Sequence, residues 1–381
     1  MSRPVDLAQL RASARDFAVK AHLADRSREL DEDPAFPWAE YRALGEKGWL
    51  GPRVPEDFGG AGWGYRAEAT LLEELAANGG SVFAKLVLQP EFCSVLRHGS
   101  PAVVDRWYRP MLRGEVLVGN QITEPGAGSD VRALASRVER VRDGEGEHFV
   151  LTGVKSEAAF AADAKAALVY AQVPVPDGAP AITAFLVPQD LAGITVELHG
   201  DMGERWMRRG TVHYDSVRLP KEAQVGEVGK GFSYLVEELT QERAILAVIY
   251  LALARESHRE VIEHARTRQL FGKRLGDLQA VGFALAEDST LLDAATLYVE
   301  QTLDRLERGE DSASQAAMAK WLANTTALRV LDHAIQFHGG AGYSTKLPHE
   351  QRWRDVRSGG IAHGSHETLK MLKARELLGR K

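Results

Sequence analysis

Cysteine is almost absent: Cys93 is the only one in 381 residues. One thiol forms no disulfide within the chain and no thiolate metal cage. A lone cysteine usually packs as a small apolar residue, so Cys93 is not read as a nucleophile. Long apolar runs are missing as well. No window approaches the ~20 apolar residues of a membrane-spanning helix, and the opening segment, MSRPVDLAQLRASARDF, lacks the apolar core of a signal peptide. A cytoplasmic, reducing location with no membrane partner is the expectation. Nor is there an excess of positive charge, since 47 Lys and Arg stand against 53 Asp and Glu, for a formal net charge of −6. Nucleic acid is therefore not an expected partner. The local basic cluster at Arg266–Arg274 suits a phosphate-bearing small molecule as well as a polymer. Internal repeats, low-complexity tracts and the strand–GxGxxG–helix arrangement of a dinucleotide fold are also missing.

What is present is ordinary globular composition, 44% hydrophobic and 26% charged, in a chain long enough for two or three domains. Three textures follow one another. Residues 1–119 read as helical: Leu7–Glu29 is rich in Ala, Leu, Arg and Glu, and Ala67–Ala77 and Ala102–Leu112 carry helical spacing on either side of a Gly-rich break at Pro55–Gly64. Residues 120–227 hold short β-rich runs (HFVLTGVK, ALVYAQV, ITAFLV, ITVELHG, TVHYDSVRL), with turn-like segments at Asp143–Glu147 and Pro174–Pro180. Residues 228–381 return to long helices, broken at Phe271–Asp277 and His338–Tyr343. Helices, then strands, then helices predict an α+β fold with an antiparallel middle sheet, not alternating βαβ units.

A helix starting near Ser233 places Leu235, Leu239, Leu246, Ile249 and Leu253 on one face, and Glu242 falls on that face. A carboxylate on an apolar stripe is costly to bury unless paired or neutral. Burial would raise its pKa toward the range of a general base. An ion pair with a neighbouring helix satisfies the same pattern. The segment TEPGAGSD, Thr123–Asp130, has glycines that let a backbone approach a flat or phosphorylated ligand, with hydroxyls at Thr123 and Ser129. It suits a tight turn equally well. In RQLFGKRLGDLQAV, Arg268–Val281, the guanidinium of Arg268 has the geometry to hold a pyrophosphate, and a charged helix end capped at Gly272 is the plain alternative. QFHGGAGY, Gln336–Tyr343, is a glycine-dense break that permits ligand contact or a simple interhelical turn.

Taken in order, PEDFGGAG, TEPGAGSDV, LTGVK, MGERWMRRGTVHYDSVRLP, GKGF, ELTQERAILA, RQLFGKRLGDLQAV, QFHGGAGY and RWRDVRSGGIAHGSHE resemble the acyl-CoA dehydrogenase family over nearly the whole chain. The resemblance implies an N-terminal helical domain (1–119), a middle antiparallel β domain (120–227) and a C-terminal four-helix bundle (228–381). It also implies non-covalent FAD, a homo-oligomer (tetramer or dimer), an acyl thioester substrate on CoA or a carrier protein, and electron-transfer flavoprotein as acceptor. Carried over residue by residue, Thr123 would approach the flavin pyrimidine edge and Ser129 a CoA phosphate or FAD. Arg268, Phe271, Gln279, Gln336, Gly339 and Gly340 would line the FAD diphosphate and adenosine path, partly across a subunit boundary. Ser365 and Glu367 would contact FAD from the last segment, and Arg243 would support the site near the thioester.

The chain departs from the family pattern twice. Most members carry the catalytic glutamate just before the Gly-Thr of the last segment, where this chain has His363. Long-chain and isovaleryl-type members carry it on an earlier helix, directly before an arginine, as Glu242 precedes Arg243. The apolar-face argument and the resemblance thus select the same base. Secondly, where the family has Trp-Ile-Thr beside the flavin, this chain has Glu157 in the Trp position and Ala159 in the Thr position. The expected chemistry is FAD-dependent α,β-dehydrogenation of an acyl thioester. The alternative is a flavin-dependent monooxygenase or oxidase on the same fold, using a His363 that titrates near neutrality. A non-enzymatic scaffold that has lost its flavin contacts is the third reading.

Overall fold

The computed structural model describes residues 4–144, 146–175 and 179–379. The first third is helical: α1 (Leu7–Lys20), α2 (Leu23–Glu32), α3 (Trp38–Glu46), α4 (Tyr65–Gly79) and α5 (Ser81–Leu88) come first. The expected Leu7–Glu29 helix is two helices, because His22 adopts a left-handed conformation (φ 50°) that breaks the ladder. The Asp6 carboxylate caps α1 by accepting the Gln9 N–H at 3.0 Å. The helix expected over Ala102–Leu112 is a composite of α6 (Pro101–Val103), a π turn at Val104–Tyr108 and α7 (Arg109–Leu112). Pro110 has no N–H to continue a regular ladder, and the widened turn precedes it.

The middle third is a sheet. Among the described residues its strands are β1 (Val118–Gln121), β2 (Arg137–Asp143), β3 (Gly146–Ala158), β4 (Ala166–Val173), β5 (Ala181–Pro188), β6 (Ile194–Leu198), β7 (Gly210–Pro220) and β8 (Gln224–Val225). The order is β6-β7-β3-β2-β4-β5-β8, with β1 attached to β4. Most pairings are antiparallel as expected, but β1 and β2 both meet β4 in parallel, so the sheet is not purely antiparallel. β4 and β5 are buried along almost their whole length, which explains their unbroken apolar runs. The turns expected at Asp143–Glu147 and Pro174–Pro180 lie partly outside the described residues.

The last third begins with α8 (Gly231–Thr267), two residues earlier than expected. A hairpin of β9 (Gln269–Leu270) and β10 (Lys273–Arg274) follows, then α9 (Gln279–Glu307), α10 (Ala313–His338), α11 (His349–Arg357) and α12 (His366–Leu377). Helices α8, α9, α10 and α12 form the bundle, and α4 lies against α8 from the other side. Enclosed in this way, α8 is buried all round from Glu242 to Ala254.

One arginine ties the thirds together. Arg354 on α11 bonds Asp31 of α2 at 2.5 and 2.9 Å, and it donates to the Met202 carbonyl beyond β6 at 2.8 Å. Beside it, a Cβ on Gly203 would stand 2.6 Å from the Arg354 carbonyl carbon, so only glycine permits this approach. Gly203→Ala is expected to cost about 1–3 kcal/mol, read as a lowered urea midpoint with the slope unchanged.

Candidate functional site

Glu242 lies 5% exposed on α8, among Leu235, Leu246 and Ile249. Burial is the main force on its carboxyl. Arg243 and Arg53 oppose it by attraction, Glu91 reinforces it, and Lys320 opposes it again, leaving the pKa raised to about 8. One turn earlier, Glu238 is buried too and accepts the Ser94 N–H at 3.2 Å. Burial, and then the nearby Glu242, push the Glu238 carboxyl well above the carboxylate range. Glu238 was not singled out from the sequence, although it sits on the same Leu235–Glu242–Leu246 stripe and the same argument finds it.

The segment after α11 faces Glu242. His363 has a left-handed backbone (φ 55°) and places Nε2 3.4 Å from Glu242 Oε2, with its ring 5.4 Å from that of Phe92. Its carbonyl accepts from Arg243 Nε at 2.9 Å. Glu242, Arg243 and His363 therefore meet in one place. The imidazole opens on one side and is 28% exposed, but burial followed by the charges of Lys320, Lys85 and Arg243 holds its pKa well below the usual histidine value. The shift runs away from the near-neutral titration expected of His363 and favours the uncharged ring.

Lys320 on α10 is fully buried and donates to the carbonyls of Gly359, Ala362 and Gly364 at 2.8, 2.5 and 3.0 Å. Its pKa is lowered to about 7, by burial and then by Arg243. Sequence reasoning missed it, yet the signal was there. Lys320 shares a helical stripe with Ala316, Ala319 and Ala323, where a lone cation is as anomalous as a lone carboxylate.

The residues expected to hold a cofactor fall into three groups. Thr123 and Ser129 lie on the loop after β1. That loop is pinned by its own Glu124, which takes the N–H groups of Ala135 and Ser136 and the buried Lys155 ammonium at 2.8 Å. Arg268, Phe271 and Gln279 gather with Gln336, Gly339 and Gly340 at the far end of α8 and α10. There Leu270, Leu275, Val281 and Phe337 share a small core, and His264 stacks on His338. Ser365 and Glu367 sit at the start of α12, where the Ser365 hydroxyl accepts the Thr368 N–H. They line a cleft of about 450 Å³ with Thr325, Arg357 and Gly360. Eight residues, or ~12 Å of helix, separate Leu328 at this cleft from Gln336. Glu157 and Ala159 form no aromatic wall. Glu157 is a half-exposed carboxylate (φ 56°) bonded to Arg209 at 2.9 Å.

These surfaces suit an extended, phosphorylated flat cofactor. Nothing stands within 4 Å of where side chains on Gly339 and Gly340 would begin, and Phe271 is 88% exposed. The α12 N-terminus opens on the cleft, its first turn capped by the Ser365 hydroxyl and by the Glu367 carboxylate at its own N–H.

Behind Glu242, Arg53 joins Glu68 and Glu91 in buried ion pairs and donates to Gln241 Oε1 at 2.6 Å. Its partners lie far apart in sequence, so no local pattern announces the cluster. Arg53→Met strands two carboxylates in a dry interior. The expected cost is about 3–5 kcal/mol by urea unfolding, smaller at low pH where the carboxylates can protonate.

Sequence models of the acyl-CoA dehydrogenase N-terminal, middle and C-terminal domains match residues 5–115, 119–217 and 229–378. The mitochondrial short-chain specific acyl-CoA dehydrogenase of Mus musculus is 32% identical over 97% of this chain and 89% of its own length. The CarC subunit of the caffeyl-CoA reductase–Etf complex of Acetobacterium woodii is 28% identical over 97% of both chains. The butyryl-CoA dehydrogenase structure from Megasphaera elsdenii superposes with a TM-score of 0.89 at 27% identity, covering 99% of this chain and all of that one. By fold, domain matches and full-length similarity, the chain belongs to the acyl-CoA dehydrogenase family, whose members are FAD-dependent oxidoreductases.

Proposed function

We propose that this enzyme dehydrogenates an acyl thioester at its α,β bond, with Glu242 as the base that takes the α-proton. The observation that carries this reading is the position of Glu242: a dry carboxylate with its pKa near neutrality, 3.4 Å from the segment that begins α12. In this reading the base stands on α8 directly before an arginine, as in long-chain and isovaleryl-type relatives. The usual position holds the neutral His363 instead.

The chain's own residues supply the rest. Arg243 holds the His363 carbonyl, so the backbone N–H groups of that segment are available to the thioester carbonyl, where charge develops as the α-proton leaves. Phe92 and the imidazole of His363 wall the cleft and keep water from Glu242. Arg268, Phe271, Gln279, Gln336, Gly339, Gly340, Ser365 and Glu367 hold FAD along its phosphates and adenosine, with Thr123 and Ser129 at the flavin and CoA side. Bound FAD supplies the acceptor for the β-hydride.

The carrier is CoA or a carrier protein. Electron-transfer flavoprotein is the proposed acceptor, in keeping with the Etf complex named for the Acetobacterium relative. The exposed Phe271 and glycine surface supports a homo-oligomer in which a second subunit covers part of the cofactor path. Domain boundaries at 119/120 and 227/228 complete the reading; the second falls between the middle and C-terminal matches, and the first lies one residue inside the middle-domain match.

Mixing the FAD-loaded enzyme anaerobically with a panel of straight and branched acyl-CoA thioesters is expected to bleach the flavin with at least one of them. Glu242→Gln should abolish the bleaching while leaving FAD content unchanged. If no thioester bleaches the wild type, the dehydrogenation reading fails. If Glu242→Gln bleaches at the wild-type rate, another group is the base.

The pH dependence follows from the raised pKa. Glu242 acts as a base only when ionised, so flavin reduction at subsaturating thioester should rise about tenfold per pH unit below about 8 and level off above it. His363 adds no second limb near neutrality. Arg268→Ala, at an exposed position, should leave the melting temperature of the apoprotein unchanged and release FAD on gel filtration.

A further inference from the structure

The thioester reading requires a donor aimed at the substrate carbonyl, and the arrangement of three consecutive peptide groups shows what aims it. The carbonyls of Ala362 and Gly364 turn toward α10 and meet Lys320 Nζ at 2.5 and 3.0 Å. Between them the His363 carbonyl turns the other way and meets Arg243 Nε at 2.9 Å. In a trans peptide the C=O and the following N–H point in opposite directions. Drawing the Ala362 carbonyl onto Lys320 therefore turns the His363 N–H away from α10. Among the described residues that N–H makes no hydrogen bond. In this partly exposed loop such a donor is free to meet a bound carbonyl.

The backbone here needs holding. His363 has φ 55°, a conformation that costs a non-glycine residue free energy and persists only when its surroundings enforce it. Lys320 is suited to that task. In its ammonium form it has three protons for three carbonyls, the third being that of Gly359 at 2.8 Å. Among the described residues its hydrogen bonds all go to the one segment between α11 and α12, and Glu242 acts on it only through space.

We infer that Lys320 is a positioning residue for the reaction: by fixing the peptide plane between Ala362 and His363, it aims the His363 N–H at the thioester carbonyl. This rests on the dehydrogenation proposed above. A lysine that merely stapled the fold would satisfy the same carbonyls but would not govern the polarisation of the bound substrate.

The test uses Glu242→Gln enzyme loaded with FAD, which binds thioester without turning it over. Butyryl-CoA and octanoyl-CoA, each with and without carbon-13 at the thioester carbonyl, give the stretching band of the bound carbonyl by isotope-edited infrared difference. In Glu242→Gln the band is expected below its value in buffer. Adding Lys320→Met should return it toward the buffer value with FAD still bound, and Lys320→Gln, which keeps part of the donor set, should fall between. With Glu242 intact, Lys320→Met should lower kcat by ~10²-fold and change KM little, as for loss of an oxyanion donor.

A folded Lys320→Met or Lys320→Gln enzyme with an unmoved band overturns the inference and leaves the dehydrogenation reading standing. If neither variant folds, Lys320 is a fold anchor and the positioning role is overturned. If the Glu242→Gln enzyme binds neither these two nor any other thioester of the panel, the functional reading itself fails and the inference falls with it.

Discussion

A carboxylate held out of water beside buried cations is the constraint on which the rest of this structure depends. Burial alone would keep Glu242 protonated and useless as a base. Arg243, Arg53 and Lys320 pull it back, and Glu91 pushes the other way. The outcome, a group poised near neutrality, needs every one of these charges to be placed and neutralised. Arg53 is balanced by Glu68 and Glu91, and Arg243 and Lys320 are stabilised by backbone carbonyls. The enclosure of α8 follows from this requirement. A helix buried on every side from Glu242 to Ala254 gives the dryness, and α4, α9 and α10 supply the walls.

Much of this was legible in the residues, and what was not has a common cause. The order of helices, strands and helices followed from periodicity, and Glu242 stood out as a charge on an apolar stripe. Glu238 and Lys320 carry the same signal, a charge on an apolar stripe. The Arg53 cluster could not be read at all. Glu68 and Glu91 are 15 and 38 residues from Arg53, and Gln241 is 188 away, so only the tertiary fold brings them together. The broken first helix and the π turn ahead of Pro110 are local events at single residues, which averaged helical patterns do not resolve. The downward push on the His363 pKa comes from burial and then from Lys320, Lys85 and Arg243, which lie on three separate helices.

The departures at Glu157 and Ala159 take on a physical form. Glu157 bonds Arg209, which in turn binds Asp201, making a polar, half-exposed lattice where related sequences have an aromatic and a hydroxyl residue. A charged wall polarises its surroundings, whereas an aromatic wall excludes water. The Glu157 position is thus more polar than the family pattern implies, whereas Ala159 packs against the core, and Glu242 stays dry.

Arg354 reaches the first, middle and last thirds of the chain from one side chain, and Gly203 lets the backbones touch beside it. Any hinge opening between the thirds of the chain would have to shear a doubly bonded guanidinium, so one side chain resists their parting.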